Sequence, residues 1–454
     1  MVWWLLSSYS ITMITFLSTT VSPSSAFHLI GKSWRSRSIN TYRRNSNSAL
    51  FTTSKSKASQ KRKTPSLTYA DILQMEDGAL HPSRFHKGAG DNESIKSPSA
   101  LSPSAAAEFR ACPQSYLFQY LYGIRQPTTL PLARGRLCHS ALEQLFDLKP
   151  HERTLEHLNN LFRKNWSEER LKDDYKNLFD VDVAVSEESG HSSSTASEFI
   201  RDLNKEREWG QEALGLLDNY YELEDPRLVP RTNPIEREMW VQTKLNMDAS
   251  KGVTGTNSNS SNSNNIDEAK FLIRGIVDRL DFVGIPNTPR SAFVDENINN
   301  ERSGCIRIVD YKTGKAPDFK YSPETNERIA NENMWQLKIY ALLLREMIAA
   351  GKTKSKGRNL KNVLGTDIRL MRLMYLTNNR GDAQYLDLDL GETEEDRNAI
   401  LNQVHVDLIE VWQGIQKLVG EGDPLNFEHC DRKFCCCHKI RPKFECGSVH
   451  QQQS

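Results

Sequence analysis

The sequence predicts an α/β or α+β domain: a mixed β-sheet flanked by helices, with a helical block in front and a Cys-rich tail behind. Three observations predict it. The segments FLIRGIVDRLDFVG and CIRIVDYKTG carry strand patterning bounded by turn residues. Apolar residues recur at helical spacing before and between such segments, a combination that packs as helices against a sheet. Five of the eight cysteines fall in the last 25 residues, which sets the tail apart.

The chain has 454 residues, enough for one large domain or two ordinary ones of roughly 100–200 residues. With 38% hydrophobic and 26% charged residues it reads as globular with polar inserts. No run of about 18 apolar residues follows position 31, so no membrane span is expected in the mature form. The formal charge of +1 hides an asymmetry. Residues 1–70 hold ten Lys or Arg and no acid, leaving 59 − 10 = 49 bases against 58 acids, or −9, beyond them. Bulk charge therefore neither supports nor excludes a nucleic-acid partner, and a phosphate-binding surface has to be a local groove.

Residues 1–27 form an uncharged apolar and hydroxylated run ending in small residues, as a signal-peptide core does, although no basic residue precedes it. The Ser-, Arg- and Lys-rich stretch after it has the composition of an organelle transit peptide. The order resembles the bipartite presequences of algae with secondary plastids, with Ser25, Ala26 and Phe27 at the cut. A plastid is the expected address, and secretion or mitochondrial import the alternatives. The expected layout is a presequence to residue 65, a polar linker over 66–100, one domain over 101–446 and a tail over 447–454.

Within the domain, Ser102 as N-cap and Pro103 at N1 open a helix that Pro113 should split. Further helices are expected over about 131–147, 153–178 and 196–223. A strand lies around 235–246, and polar, low-complexity inserts fall near 182–196 and 248–268. The two strands quoted above follow. Next come a helix over about 325–349, the strands DIRLMRLMYLT and AQYLDLDL, and a closing helix over about 392–420.

The chemistry concentrates in G275-I-V-D278-R-L-D281 and I308-V-D310-Y-K312-T-G-K. Asp278 and Asp310 at adjacent strand ends would hold a hard divalent cation. Lys312, two residues beyond Asp310, lies on the same face. Such a set suits metal-assisted phosphodiester hydrolysis, in which the cation polarises the phosphate and the ammonium offsets developing charge. Taken alone, D-x-K more often marks a solvated strand end with an ion pair.

The context is wider. G135-R-L-C-H139, G-x-x-D-R, V-D-Y-K-T-G and Q336-L-K-I-Y340 occur in one order. Together with LSPSAAAEFRACPQSYLFQYLYGI they resemble the PD-(D/E)XK nuclease superfamily, in the branch that includes the RecB and AddB nuclease domains, Cas4 and exonuclease V. The resemblance covers about Leu101 to Cys446 and implies a restriction-endonuclease-like core. Carried over residue by residue, it makes His139, Asp278, Asp310 and the backbone carbonyl of Tyr311 ligands of Mg2+ or Mn2+, and Lys312 the catalytic lysine. It gives Gln336 and Tyr340 the task of orienting that lysine or contacting DNA. The implied function is a metal-dependent DNA nuclease of repair or recombination, an exonuclease or single-strand-preferring enzyme. No phosphate-binding G-x-x-x-x-G-K-[ST] loop occurs, so a helicase would be a separate chain, as would a single-strand-binding protein. The rival readings are a nuclease-like module that grips DNA without cutting, or the inactive partner of a helicase-nuclease, and a different hydrolase or redox protein built around the cysteines.

Adjacent Cys435, Cys436 and Cys437 in so long a chain favour metal binding over disulfides. The resemblance implies an iron-sulfur (4Fe-4S) cluster on Cys112, Cys430, Cys437 and Cys446, tying the helical block to the tail. The spacing after Cys430 departs from the family's, and the alternatives are unligated thiols or a local zinc site using His438. Cys138 and Cys305 read as small buried residues.

Overall fold

The computed structural model describes residues 67–85, 95–182, 199–228, 233–249, 269–284, 304–351, 354–355, 358–359, 367–377 and 384–444. All of them belong to the compact unit Thr64–Ser454. The presequence, nearly all of both expected inserts, and Cys446 lie outside the described residues.

Helix α1 (Tyr69–Gln74) falls inside the expected polar linker. Thr68 and Asp71 close a capping box around its start, and Ile72 and Leu80 are fully buried, so this part of the linker packs. Helix α2 (Pro103–Ala111) starts at the Ser102 cap as expected. Cys112 ends it and at once caps α3 (Pro113–Tyr116), its sulfur accepting the Ser115 N–H at 3.3 Å; a π-helical turn follows over Leu117–Leu121. Pro113 therefore splits the segment, because it has no N–H to continue α2.

Helices α4 (Leu130–Leu145), α5 (Leu155–Glu169) and α6 (Leu203–Leu223) come next, with the short strands β1 (Asp180–Asp182) and β2 (Phe199–Arg201) between the last two. Two expectations are corrected here. The helix predicted over 153–178 stops at Glu169, and the chain turns so that Tyr175 and Phe179 fold their rings back on Trp166. The helix predicted over 196–223 begins only at Leu203, because the Asp202 carboxylate takes the N–H groups of Asn204 and Lys205 and fixes the start there.

The sheet is built from β3 (Glu236–Asn246), β4 (Lys270–Gly284), β5 (Gly304–Lys312), β8 (Ile368–Tyr375) and β9 (Gln384–Asp389), in that spatial order; β6 (Lys354–Ser355) and β7 (Arg358–Asn359) form a separate hairpin. Three of the four pairings are antiparallel, whereas β5 and β8 pair in parallel. A parallel pair needs a crossover, and α7 (Pro323–Ala349) supplies it. Helix α8 (Glu394–Glu421) and the short α9 (Cys437–Ile440) complete the chain. The result is a five-stranded mixed sheet flanked by helices, the restriction-endonuclease-like arrangement that was predicted.

The sheet separates two apolar cores. Val277, Leu280, Ile308 and Leu373 pack with α2, α7 and α8, whereas Val309, Tyr311 and Met374 pack with α4, α5 and α6. Alternation along β5 sends neighbouring side chains into different cores, each fully buried aliphatic contributing about 1.5–3 kcal/mol. The polar motifs lie at the seam between them.

Candidate active site and thiolate cluster

Register creates the site. β3 and β4 pair Arg237 with Arg279 and Met239 with Val277, which brackets Glu238 opposite Asp278. β4 and β5 pair Arg279 with Val309, so the next step along brings Asp278 beside Asp310. Three carboxylates thus line up across three strands, where like charges repel unless a cation intervenes. Asp278 was expected near a strand end but sits inside β4, which runs on to Gly284.

His139 reaches this row from α4. Its Nε2 donates to the Tyr311 carbonyl at 2.7 Å and its Nδ1 stands 3.2 Å from Asp278 Oδ2. Burial disfavours charging the ring, but the hydrogen bond and charge of Asp278, with Asp310 behind it, outweigh that and raise the imidazole above its usual range. The bond to Tyr311 orients the ring and, in the neutral tautomer, leaves the Nδ1 lone pair facing the carboxylates. The Tyr311 N–H donates to Asp278 Oδ2 at 3.1 Å.

Lys312 Nζ pairs with Asp310 Oδ2 at 2.7 Å and donates to Gln336 Oε1 at 3.3 Å. Gln336 Nε2 then donates to the Tyr340 hydroxyl at 3.0 Å. Gln336 and Tyr340, one turn apart on α7, therefore hold the lysine from the side away from the sheet. Burial and the neighbouring Asp278 push Asp310 up to about 6, with Lys312 pulling the other way.

Two glycines of the motifs have steric reasons. A Cβ on Gly275 would stand 2.7 Å from Tyr340 Cε1 and 3.2 Å from Pro103 Cδ, so only glycine lets the α7 tyrosine and the start of α2 lie on β4. A Cβ on Gly135 would meet Thr313 Oγ1 at 3.0 Å, where α4 crosses the exit of β5. Behind the row, fully buried Arg279 donates to the Tyr311 hydroxyl at 2.9 Å and to Glu224 and Asp281, each at 2.8 Å. This network anchors Tyr311, whose carbonyl orients His139.

Glu238 escaped the sequence reading. One nitrogen of His139 and one oxygen each of Glu238 and Asp278 lie within 4.8 Å of one another. The cavity that these residues line has a volume of about 10 Å³, room for roughly one water or ion. Glu238 has φ +43°, a left-handed conformation that costs a non-glycine residue about 1–3 kcal/mol and gathers at functional sites. Nothing in I-E-R-E-M distinguishes Glu238 from Glu236; only strand pairing does. The oxygen and imidazole donors suit a hard divalent cation such as Mg2+ or Mn2+, and His139, Glu238, Asp278 and Asp310 would hold it, whereas the Tyr311 carbonyl, expected among the ligands, accepts from His139 Nε2.

The second cluster joins the ends of the domain. One sulfur each from Cys112, Cys430, Cys435 and Cys437 lie within 4.8 Å of one another. Three of these were predicted, Cys435 is the fourth among the described residues, and the predicted Cys446 lies outside them. Arg432 Nε donates to Cys430 Sγ at 3.3 Å. Burial opposes the Cys430 thiolate, but the Arg432 hydrogen bonds prevail and bring it down to about 6. Cys436 is set apart, its sulfur 3.2 Å from the Ser115 hydroxyl. Cys138 and Cys305 are buried, as predicted.

No helix among the described residues is long and apolar enough to cross a membrane. No curated protein matches the chain. The family model of the PD-(D/E)XK nuclease superfamily matches residues 100–439, about three quarters of the sequence and every motif described above. The chain belongs to the PD-(D/E)XK nuclease superfamily.

Proposed function

We propose that the protein is a divalent-cation-dependent DNA nuclease of the branch that includes the RecB and AddB nuclease domains, Cas4 and exonuclease V. It would act as an exonuclease or single-strand-preferring enzyme of repair or recombination, in a plastid. The observation that carries the reading is the placement of Lys312 Nζ 2.7 Å from Asp310, beside the row of Glu238, Asp278 and His139. A bound Mg2+ or Mn2+ would supply phosphate polarisation and a more acidic water. The chain's own residues do the rest. The carboxylates and His139 hold the cation, and the Lys312 ammonium, steadied by Gln336 and Tyr340, meets the charge that develops on the phosphate. A retired DNA-gripping module would have no need to keep the lysine and its two supports. The order of apolar and basic segments before residue 65 supports the plastid.

The test is cleavage of end-labelled single- and double-stranded DNA with Mg2+ or Mn2+. Activity lost in Asp278→Ala and Lys312→Met, with folding intact, supports the reading. No cleavage by the folded, metal-supplied chain would leave the binding-module or partner-subunit reading.

For the thiolate cluster, one observation favours zinc over the iron-sulfur cluster. Two thiolates on one zinc, at about 2.3 Å each, stand at most about 4.6 Å apart, and about 3.8 Å in a tetrahedron. Thiolates on four different irons spread further. The gathering of all four sulfurs within 4.8 Å supports a single ion. Metal analysis distinguishes one zinc per chain from several irons with visible absorbance.

A further inference from the structure

An open cleft of about 590 Å³ lies beside the thiolate cluster, lined by Ser115, Gln119, Gln126, Arg432, Lys433 and Phe434 among others. Phe434 is 97% exposed, the most exposed of the large hydrophobic residues described. Cys435, next to it, belongs to the cluster, which fixes the backbone that carries the ring. The cleft around it is polar. Gln126 offers an amide, the group that pairs with nucleobase edges, Gln119 offers its carbonyl oxygen while its Nε2 donates to Ser115 Oγ at 2.7 Å, and Lys433 offers a cation. The one acid in the wall, Glu108, is paired with Arg432 at 3.3 Å, which offsets its charge.

One helix connects the cleft to the neighbourhood of the carboxylate row. α2 starts at Pro103, against Gly275 and Tyr340, and Glu108 is already in the cleft wall. Five residues of helix span about 7.5 Å. Near its end the Arg110 guanidinium lies 4.4 Å from the centre of the Trp335 ring, the neighbour of Gln336. A cationic side chain at the end of α2 thus touches the helix that carries Gln336.

We infer that this cleft binds single-stranded nucleic acid, one base stacking on Phe434 with Gln119 and Gln126 at its edge and Lys433 at a neighbouring phosphate. The strand then follows α2 past Arg110 to the site. The inference rests on the nuclease reading for the fate of that strand, though not for its binding. An aromatic platform beside a cation is how sequence-tolerant single-strand sites are built.

The test uses the full chain carrying Asp310→Asn, to stop cleavage, and fluorescein-labelled 12-nucleotide oligothymidylate read by anisotropy. Phe434→Ala should weaken binding about 5- to 100-fold, the range of one base stack, and Phe434→Trp should restore it. A matched oligomer of abasic residues should bind equally to chains with and without Phe434→Ala. Unchanged affinity of Phe434→Ala for oligothymidylate overturns the inference, as does an equal loss on the abasic oligomer. No binding by the parent chain overturns it too. Duplex cleavage by the unmutated chain is scored separately, so failure of the cleft and failure of the nuclease reading give different results.

Discussion

Replacing Asp310 by asparagine should make the metal-free protein more stable while abolishing cleavage. Asp310 is 4% exposed and shares its surroundings with Asp278, and these two causes carry its carboxyl from 3.8 up to about 6. A carboxyl raised on folding is a liability that grows with pH. The cost is absent below about pH 4, where both folded and unfolded forms are protonated, and complete above about pH 6. A rise of about two units at about 1.4 kcal/mol each makes it about 3 kcal/mol at neutral pH. The asparagine amide keeps the shape without the charge. Thermal unfolding at pH 7.5 should place Asp310→Asn about 5 °C above the parent, given roughly 2 °C per kcal/mol for a chain of this size. The samples are dialysed free of Mg2+ and Mn2+ without a strong chelator, so that the thiolate cluster keeps its metal. At pH 4 the difference should vanish. Adding Mn2+ should stabilise the parent by mass action and leave the mutant behind. A mutant less stable than the parent at pH 7.5, or an advantage that does not depend on pH, would refute the reasoning that Asp310 is held charged against its surroundings for the sake of a cation.

Other expectations follow from single contacts. Glu238→Gln should weaken Mn2+ binding about 10- to 100-fold, read by the EPR signal of free Mn2+, and unchanged affinity would remove Glu238 from the site. Cys435→Ser should lose bound metal by elemental analysis whereas Cys436→Ser should keep it; the reverse would show that the cluster uses another thiol. Gly275→Ala should lower kcat with little change in metal content, because its Cβ displaces Tyr340 from Gln336 and loosens Lys312. Arg279→Met leaves Asp281 and Glu224 short of a buried partner and should cost about 3–5 kcal/mol in denaturant unfolding, with any soluble fraction showing weakened His139 positioning.

Much of this molecule was legible in its sequence. The strand identities of β4 and β5, the split at Pro113 and the span of α7 follow from alternation, missing donors and caps, which are local effects. The motif residues His139, Asp278, Asp310, Lys312, Gln336 and Tyr340 all meet in one place, because each motif is a short segment whose direction its own secondary structure sets. Helix ends were less legible. α5 stops early because Tyr175 and Phe179 find Trp166, a tertiary contact that no window of sequence contains.

The sequence by itself determined which residue types can do chemistry here and which element each rides on. Only the tertiary structure decided who joins them. Glu238 became a candidate ligand because antiparallel register brings it opposite Asp278 across β3 and β4, and register is a property of two strands, not of either. Cys435 joined Cys112, Cys430 and Cys437 because the chain folds α9 back against the start of α3, bringing together sulfurs more than 300 positions apart. The charge state of Asp310 belongs to the fold as well, since burial and a neighbouring carboxylate exist only once the sheet has closed over them.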